Sequence, residues 1–318
     1  MRTASPTRPG SGRAPGKVIL LGEHAVVYGR TAIAGSIDRQ VVVRVRPGAS
    51  SSVGRDARAT AAVRRAGALL DLDTGSLDVA IASDLPIAVG LGSSAALSVA
   101  LVRALASHAG RALDDAAVCA AALELEKLFH GFPSGIDNTA ATYGGLITFR
   151  CGGTRRHLVP PAPLRLVIAL GRAPRLTYAT VTALRERQQC DAQRHDALFD
   201  AIDALARQAE VAIAAGQRAL LGQLMCCNHE LLRELGVSTD ELDAMVDLAR
   251  AGGALGAKLT GGGGGGAVVC LPEDDGRRLV AGFARAGWDA FTTDIGPARR
   301  DHHAADDRHT LRDSSTPR

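Results

Sequence analysis

Lysine is almost missing from this 318-residue chain. It stands at positions 17, 127 and 258 only, within a total of 37 Lys plus Arg, so arginine fills nearly every ordinary cationic position. Aromatic residues are scarce too, at 3% of a sequence that is 46% hydrophobic, so the core is expected to be built from Ala, Val, Leu and Ile. A nucleic-acid surface combines a basic patch with stacking rings. This chain lacks the rings, and its net charge of +4 is a modest surplus with both signs interspersed, which argues against a nucleic-acid partner. The six cysteines (Cys119, Cys151, Cys190, Cys226, Cys227 and Cys270) form no Cys-x-x-Cys pair and have no histidine pattern beside them, so no zinc site is expected. They read as reduced thiols of a cytoplasmic protein. No apolar run reaches the roughly 18–20 residues of a membrane span, and residues 1–13 carry no apolar signal core, so no membrane association is expected.

At this length the chain exceeds the ~250–300 residues at which single cores stop growing, and two domains are expected. Residues 1–13 read as a disordered leader and residues 298–318 as a disordered charged tail. The Pro-rich stretch 159–163 is the expected linker, dividing an N-terminal unit (14–158) from a C-terminal unit (164–297). Strands are predicted at 17–21, 31–38, 41–46, 77–82 and 143–149, with helices at 93–109 and 114–129. The second half reads as a strand at 164–170, helices at 178–189, 193–215, 217–235 and 239–251, a strand at 267–271, a helix at 274–286 and a last strand at 288–293. Mixed elements in both halves indicate an α+β protein.

The most informative segment is Pro86-Ile87-Ala88-Val89-Gly90-Leu91-Gly92-Ser93-Ser94-Ala95-Ala96, a glycine-rich loop opening an alanine-rich helix. Glycines allow backbone N–H groups to approach a ligand, and a helix start leaves such donors unpaired at the positive end of the dipole. The combination suits phosphate. Of the two hydroxyls, Ser93 and Ser94, one is placed to cap the helix and the other to reach a magnesium ion carried by phosphates. Gly90-x-Gly92-x-x-Ala95 also satisfies the dinucleotide fingerprint formally. That reading requires a strand immediately before the glycines and an acid ending a second strand, and neither is present. No lysine follows as in a Walker loop, and a purely structural turn remains the alternative.

Lys17 opens an apolar run in a glycine-containing segment and Lys258 lies in another, so retention of a compact ammonium at these sites suggests a purpose that arginine does not serve. Glu23-His24 falls between two predicted strands. Glu126, Lys127 and His130 close a helix that is followed by Pro133-Ser134-Gly135-Ile136-Asp137-Asn138. Asp137 reads either as a helix cap or as a carboxylate that orients a hydroxyl and takes its proton. Phosphoryl transfer needs such an acid together with a phosphate cradle, metal ligands and a cation.

These segments, with Lys258-Leu259-Thr260 and the glycines Gly261–Gly265 as a third motif, resemble the galactokinase–homoserine kinase–mevalonate kinase–phosphomevalonate kinase (GHMP) superfamily from about residue 14 to 297. Gly22-Glu23-His24-Ala25-Val26-Val27-Tyr28-Gly29 and His130-Gly131-x-Pro133-Ser134-Gly135-Ile136-Asp137-Asn138 are most similar to its mevalonate-phosphorylating branch. Galactokinases instead carry a Gly-Glu-His-Thr-Asp type of first motif, and phosphomevalonate kinases usually Gly-Glu-Tyr.

The resemblance implies a ribosomal-S5-like N-terminal domain, a ferredoxin-like C-terminal domain and ATP- and Mg²⁺-dependent phosphorylation of the 5-hydroxyl of (R)-mevalonate, in isoprenoid precursor synthesis. It implies Asp137 as the catalytic acid/base and Lys17 as its partner. Ser94 and Glu126 match magnesium ligands. Ala88, Val89, Gly90, Leu91, Gly92, Ser93 and Ser94 match the ATP phosphate loop, with Ser83 a further ATP contact. His24 and Thr177 match substrate-side positions, and Thr260, Gly261 and Gly263 the third glycine motif, expected to pack near the phosphate loop. Gly262 departs from the usual alanine, and Phe132 from a usually small or polar residue. Oligomeric state stays open, a homodimer being common among relatives. The rival readings are a sibling kinase acting on phosphomevalonate or another small alcohol, and a non-catalytic paralogue that senses ATP or a sugar.

Overall fold

The structure, a computed structural model, describes residues 8–48, 56–130, 133–152, 154–172 and 177–296. Two antiparallel sheets organise it. The first contains β1 (Gly10–Leu21), β2 (Thr31–Pro47), β3 (Leu77–Ser83), β4 (Leu146–Arg150) and β5 (Arg155–Leu158), in the order β1-β2-β4-β5 with β3 also paired to β2. The second contains β6 (Leu164–Leu170), β7 (Ala254–Thr260), β8 (Ala267–Pro272) and β9 (Asp289–Ile295), in the order β7-β8-β6-β9. The α+β reading holds, with each half carrying its own sheet and helices.

β2 shows how the pattern fixes the faces. Val41, Val43 and Val45 are buried while Arg44 and Arg46 are exposed, the period of two expected of a half-covered strand. Four helices accompany the first sheet: α1 (Ala57–Leu69), α2 (Ser93–His108), α3 (Asp115–His130) and α4 (Ile136–Tyr143). α2 is covered on most sides, burying Ala95, Ala96, Val99, Ala100, Leu101 and Leu105, which explains its small side chains. The second sheet carries α5 (Thr177–Cys190), α6 (Ala192–Ala214), α7 (Arg218–Glu234), α8 (Asp240–Ala251) and α9 (Arg277–Arg285). Among the described residues no helix is long and apolar enough to cross a membrane.

The halves share one core. A single apolar cluster joins Val18 and Leu20 of β1 and Val99 of α2 to Leu166 and Ile168 of β6 and Ile295 of β9. Thr293 adds a polar tie, its hydroxyl accepting from the Asp38 amide at 3.2 Å and donating to the Asp38 carboxylate at 2.7 Å.

Several expectations are corrected. The leader does not extend to residue 13, because Gly10–Arg13 pair with Val42–Val45 as the start of β1. The Gly-Ser-Gly sequence that looks flexible is required for packing. A Cβ on Gly12 would lie 2.1 Å from the Ala100 carbonyl oxygen, so β1 can press on α2 only without a side chain there. Residues 1–7 and the predicted tail, 298–318, lie outside the described residues. α1, α4, β5 and β7 have no counterpart among the predicted elements. The predicted strand 143–149 divides into the end of α4 and β4, separated by Gly144 at φ 64°. α9 begins at Arg277 rather than 274.

Gly12→Ala is therefore expected to destabilise the fold by about 1–3 kcal/mol, the range for overpacking a filled interior. Urea denaturation measures it, and an unchanged midpoint would contradict the packing of β1 on α2.

Candidate active site

The glycine loop leaves β3 at Ser83, whose hydroxyl accepts from the Leu85 amide at 3.1 Å, and Leu85 is buried as an anchor. Ala88, Gly90 and Gly92 then adopt positive φ values of 60°, 91° and 71°. For Ala88 the left-handed conformation costs about 1–2 kcal/mol, and such strain concentrates at functional segments. Gly92 is the N-cap of α2 and has no side-chain cap bond. The expectation that one serine caps the helix is thus corrected: Ser93 is the first helical residue, and the Ser94 hydroxyl donates to Glu126 Oε2 at 3.2 Å. Gly92 brings no side-chain acceptor to the start of α2, and a helix start of this kind can receive an anion.

Lys17 runs beneath this loop. Its amide donates to the Leu91 carbonyl at 2.9 Å, and its Nζ donates to the Gly90 carbonyl at 3.0 Å. A Cβ on Gly92 would stand 2.8 Å from Lys17 Cγ, so the glycine makes room for the lysine stem. The same Nζ lies 3.2 Å from Asp137 Oδ1, with Lys17 2% and Asp137 31% exposed. Asp137 occupies the first turn of α4, which starts from Gly135 at φ 88° and is anchored by buried Ile136. The ammonium is enclosed, while the carboxylate it touches still opens outward.

Glu126, on α3, is buried and accepts hydroxyl donors from two positions of α2, Ser94 and Ser98, both at 3.2 Å. Burial, reinforced by the negative charge of Asp137, pushes its carboxyl up to about 8. Among the described residues no group of three or more His, Cys, Asp or Glu is placed to hold a metal ion. The donor set nevertheless fits magnesium arriving with a nucleotide. Such an ion takes one or two protein oxygens plus phosphates and water, and Ser94 and Glu126 offer hard oxygen donors beside an anion site.

His24 lies at φ 61°, ψ −50°, and the Ala25 amide donates to the Glu23 carbonyl at 2.7 Å, closing a three-residue turn. This γ-turn geometry is rare and strained, at a cost of about 1–3 kcal/mol. The Glu23 carboxylate is buried against Lys258 of β7 and accepts from Asn228 Nδ2 of α7 at 3.4 Å. Burial pushes the Glu23 carboxyl up and the Lys258 ammonium down, each opposed by its partner's charge. α6 clamps the far side of this turn: Tyr28 stacks on Phe199 with centroids 4.3 Å apart, and Asp203 accepts from the Thr31 amide at 2.7 Å.

The third motif lies against β1. The Thr260 hydroxyl accepts from the Ile19 amide at 2.9 Å and donates to the Ile19 carbonyl at 3.1 Å, joining β7 to β1. Gly261 and Gly263 have positive φ, and a Cβ on Gly263 would meet the Val237 carbonyl at 2.0 Å. The motif therefore packs on β1 and on the chain after α7. Thr177 begins α5, and its side chain and Phe132 lie outside the described residues.

Ser98, Asn228 and the role of Lys258 were not read from sequence. The signal for Ser98 was its i,i+4 spacing from Ser94, which puts both hydroxyls on one helix face. Asn228 is more than 200 positions from Glu23 and gave none.

Residues 57–145 match the family described as GHMP kinases N terminal domain, and residues 195–289 match GHMP kinases C terminal. The mevalonate kinase of Methanothermobacter thermautotrophicus is 36% identical over 263 residues, covering 79% of this chain and 86% of the relative. That of Archaeoglobus fulgidus is 37% identical over 260 residues, covering 78% and 87%. Among solved structures, L. major mevalonate kinase in complex with R-mevalonate superimposes with a TM-score of 0.84 at 31% identity, covering 93% of this chain and 98% of the other.

The Glu126 environment sets a pH dependence. In the ligand-free protein this carboxyl keeps its proton to about pH 8, against an ordinary value of 4.5. The native state therefore holds more protons than the unfolded chain between those values, and the resulting stability, complete below about 4.5, is lost as pH climbs through about 8. Thermal unfolding across this window is expected to show wild-type stability declining relative to Glu126→Gln. Parallel curves for the two proteins would show that Glu126 titrates normally.

Proposed function

The chain belongs to the GHMP kinases, and from that premise we infer that it transfers the γ-phosphoryl group of ATP to the 5-hydroxyl of (R)-mevalonate. The observation that carries the mechanism is the double engagement of Lys17. One buried ammonium touches the Gly90 carbonyl of the phosphate loop and the carboxylate of Asp137. Whatever the loop binds is thereby brought beside the group that handles the alcohol proton.

In this reading Asp137 accepts the proton of the attacking hydroxyl through its exposed side, and the contact with Lys17 orients it. The amides at the start of α2 and the positive end of its dipole stabilise negative charge on the phosphates. A magnesium ion held by Ser94 and Glu126 with phosphate oxygens would add charge neutralisation at the transferred group. Ser83 and residues 88–94 serve the nucleotide, and His24 and Thr177 the mevalonate side. The N-terminal unit, which β1 carries back to Gly10, holds the nucleotide, and the elements from β6 onward form the second unit. A sensing paralogue has no need of Lys17, Glu126 and Asp137 together, and all three are present.

ADP release measured over mevalonate, phosphomevalonate, homoserine and galactose is expected to saturate with mevalonate alone and to require added magnesium. Saturable turnover with another alcohol and none with mevalonate would replace the substrate. Asp137→Asn should keep nucleotide affinity and lose about 10²–10⁴-fold in kcat, the usual contribution of a general base. Near-normal turnover in that variant would remove Asp137 from the role.

A further inference from the structure

Lys258 is the one deeply buried lysine that the transfer reaction does not use. Its side chain is fully enclosed, with Nζ on the Glu23 carboxylate and donating to the Leu259 carbonyl at 2.7 Å. Lys258 and Thr260 stand two residues apart and so project from one face of β7. That face closes the free edge of β1: Thr260 takes both backbone groups of Ile19, and Lys258 takes Glu23 just beyond the end of the strand. The contact joins residues 235 positions apart, one from each half of the molecule.

A buried ion pair is a poor source of stability, because removing both charges from water offsets most of their attraction. Its location suggests a different role. Glu23 precedes His24, and its carbonyl closes the strained turn. Lys17 is near enough for its charge to act on both Glu23 and Lys258. Asp137–Lys17 and Glu23–Lys258 are thus two ion pairs, the second of which joins the two halves of the chain.

We propose that Lys258 is a positioning residue for phosphoryl transfer: through Glu23 it holds the His24 turn. This rests on the reading that Lys17 and Asp137 act on mevalonate. The ammonium does not touch substrate; it sets the wall that the acceptor alcohol meets. Arginine would not serve, since a planar fork cannot enter a fully enclosed space shaped for a point charge.

The test compares Lys258→Met with the double variant Glu23→Gln/Lys258→Met, in which no charge is left unpaired. Lys258→Met is expected to raise the KM for mevalonate by about tenfold or more, since small misplacements in an active site are amplified in rate and binding, while the KM for ATP moves by less than about twofold. The double variant is expected to melt close to wild type and still show the raised mevalonate KM. It decides the question alone if Lys258→Met does not fold. A double variant with wild-type KM for mevalonate would reduce the pair to packing, as would equal rises in both KM values. A second readout is independent of the acceptor's identity: hydrogen exchange of the Ala25 amide in the ligand-free double variant. Exchange about tenfold faster than wild type is expected if the pair holds the turn, and unchanged protection would overturn the proposal. If the wild type fails to turn over mevalonate, the substrate reading falls while the exchange comparison still tests Lys258.

Discussion

One ammonium organises this molecule. The Nζ of Lys17 is enclosed by β1, the Gly90–Gly92 turn and the first turn of α4, and a cation in that position must find oxygen partners within the protein. It finds the Gly90 carbonyl and the Asp137 carboxylate. The left-handed glycine at 92, the strained Ala88 and the left-handed Gly135 are local consequences of bringing these oxygens to one point. The uncapped start of α2 follows from the same requirement, because the residue that would cap it must be the glycine that clears the lysine stem.

Charge is distributed around that point in a consistent way. Two carboxyl groups, Asp137 and Glu126, share one side of the crevice, and the more buried of them resists ionisation in the ligand-free protein. The buried Glu23–Lys258 pair balances itself and buried Lys17 has Asp137, so neither ammonium is left without a carboxylate. The shared apolar core and the Thr260–Ile19 bridge hold these parts in register across the two halves.

Much of this was legible in the sequence, for physical reasons. The Val/Arg alternation of residues 41–46 reports a half-covered strand, and the glycine loop before an alanine-rich helix reports an anion site, because each pattern depends only on near neighbours. Lysine scarcity marked Lys17 and Lys258 before any contact was known. What stayed hidden depends on approach between distant segments. Gly10 and Gly12 looked like a flexible leader until α2 was placed against them. Ser93 looked like a cap because nothing local reveals that Glu126 claims the neighbouring hydroxyl or that Lys17 passes under residue 92. α1 was missed because its buried face is Ala59, Ala62, Val63, Ala66 and Gly67, small residues that give a weak signal among arginines.

The coupling of Lys17 to Asp137 is tested most directly by a double-mutant cycle on kcat/KM with Lys17→Met, Asp137→Asn and both together. If one ion pair presents the carboxylate to the alcohol, the second substitution should add little to the first, leaving a coupling of the order of 1–3 kcal/mol. Losses that simply add, within about 0.5 kcal/mol, would mean that the two residues act independently and would contradict the account.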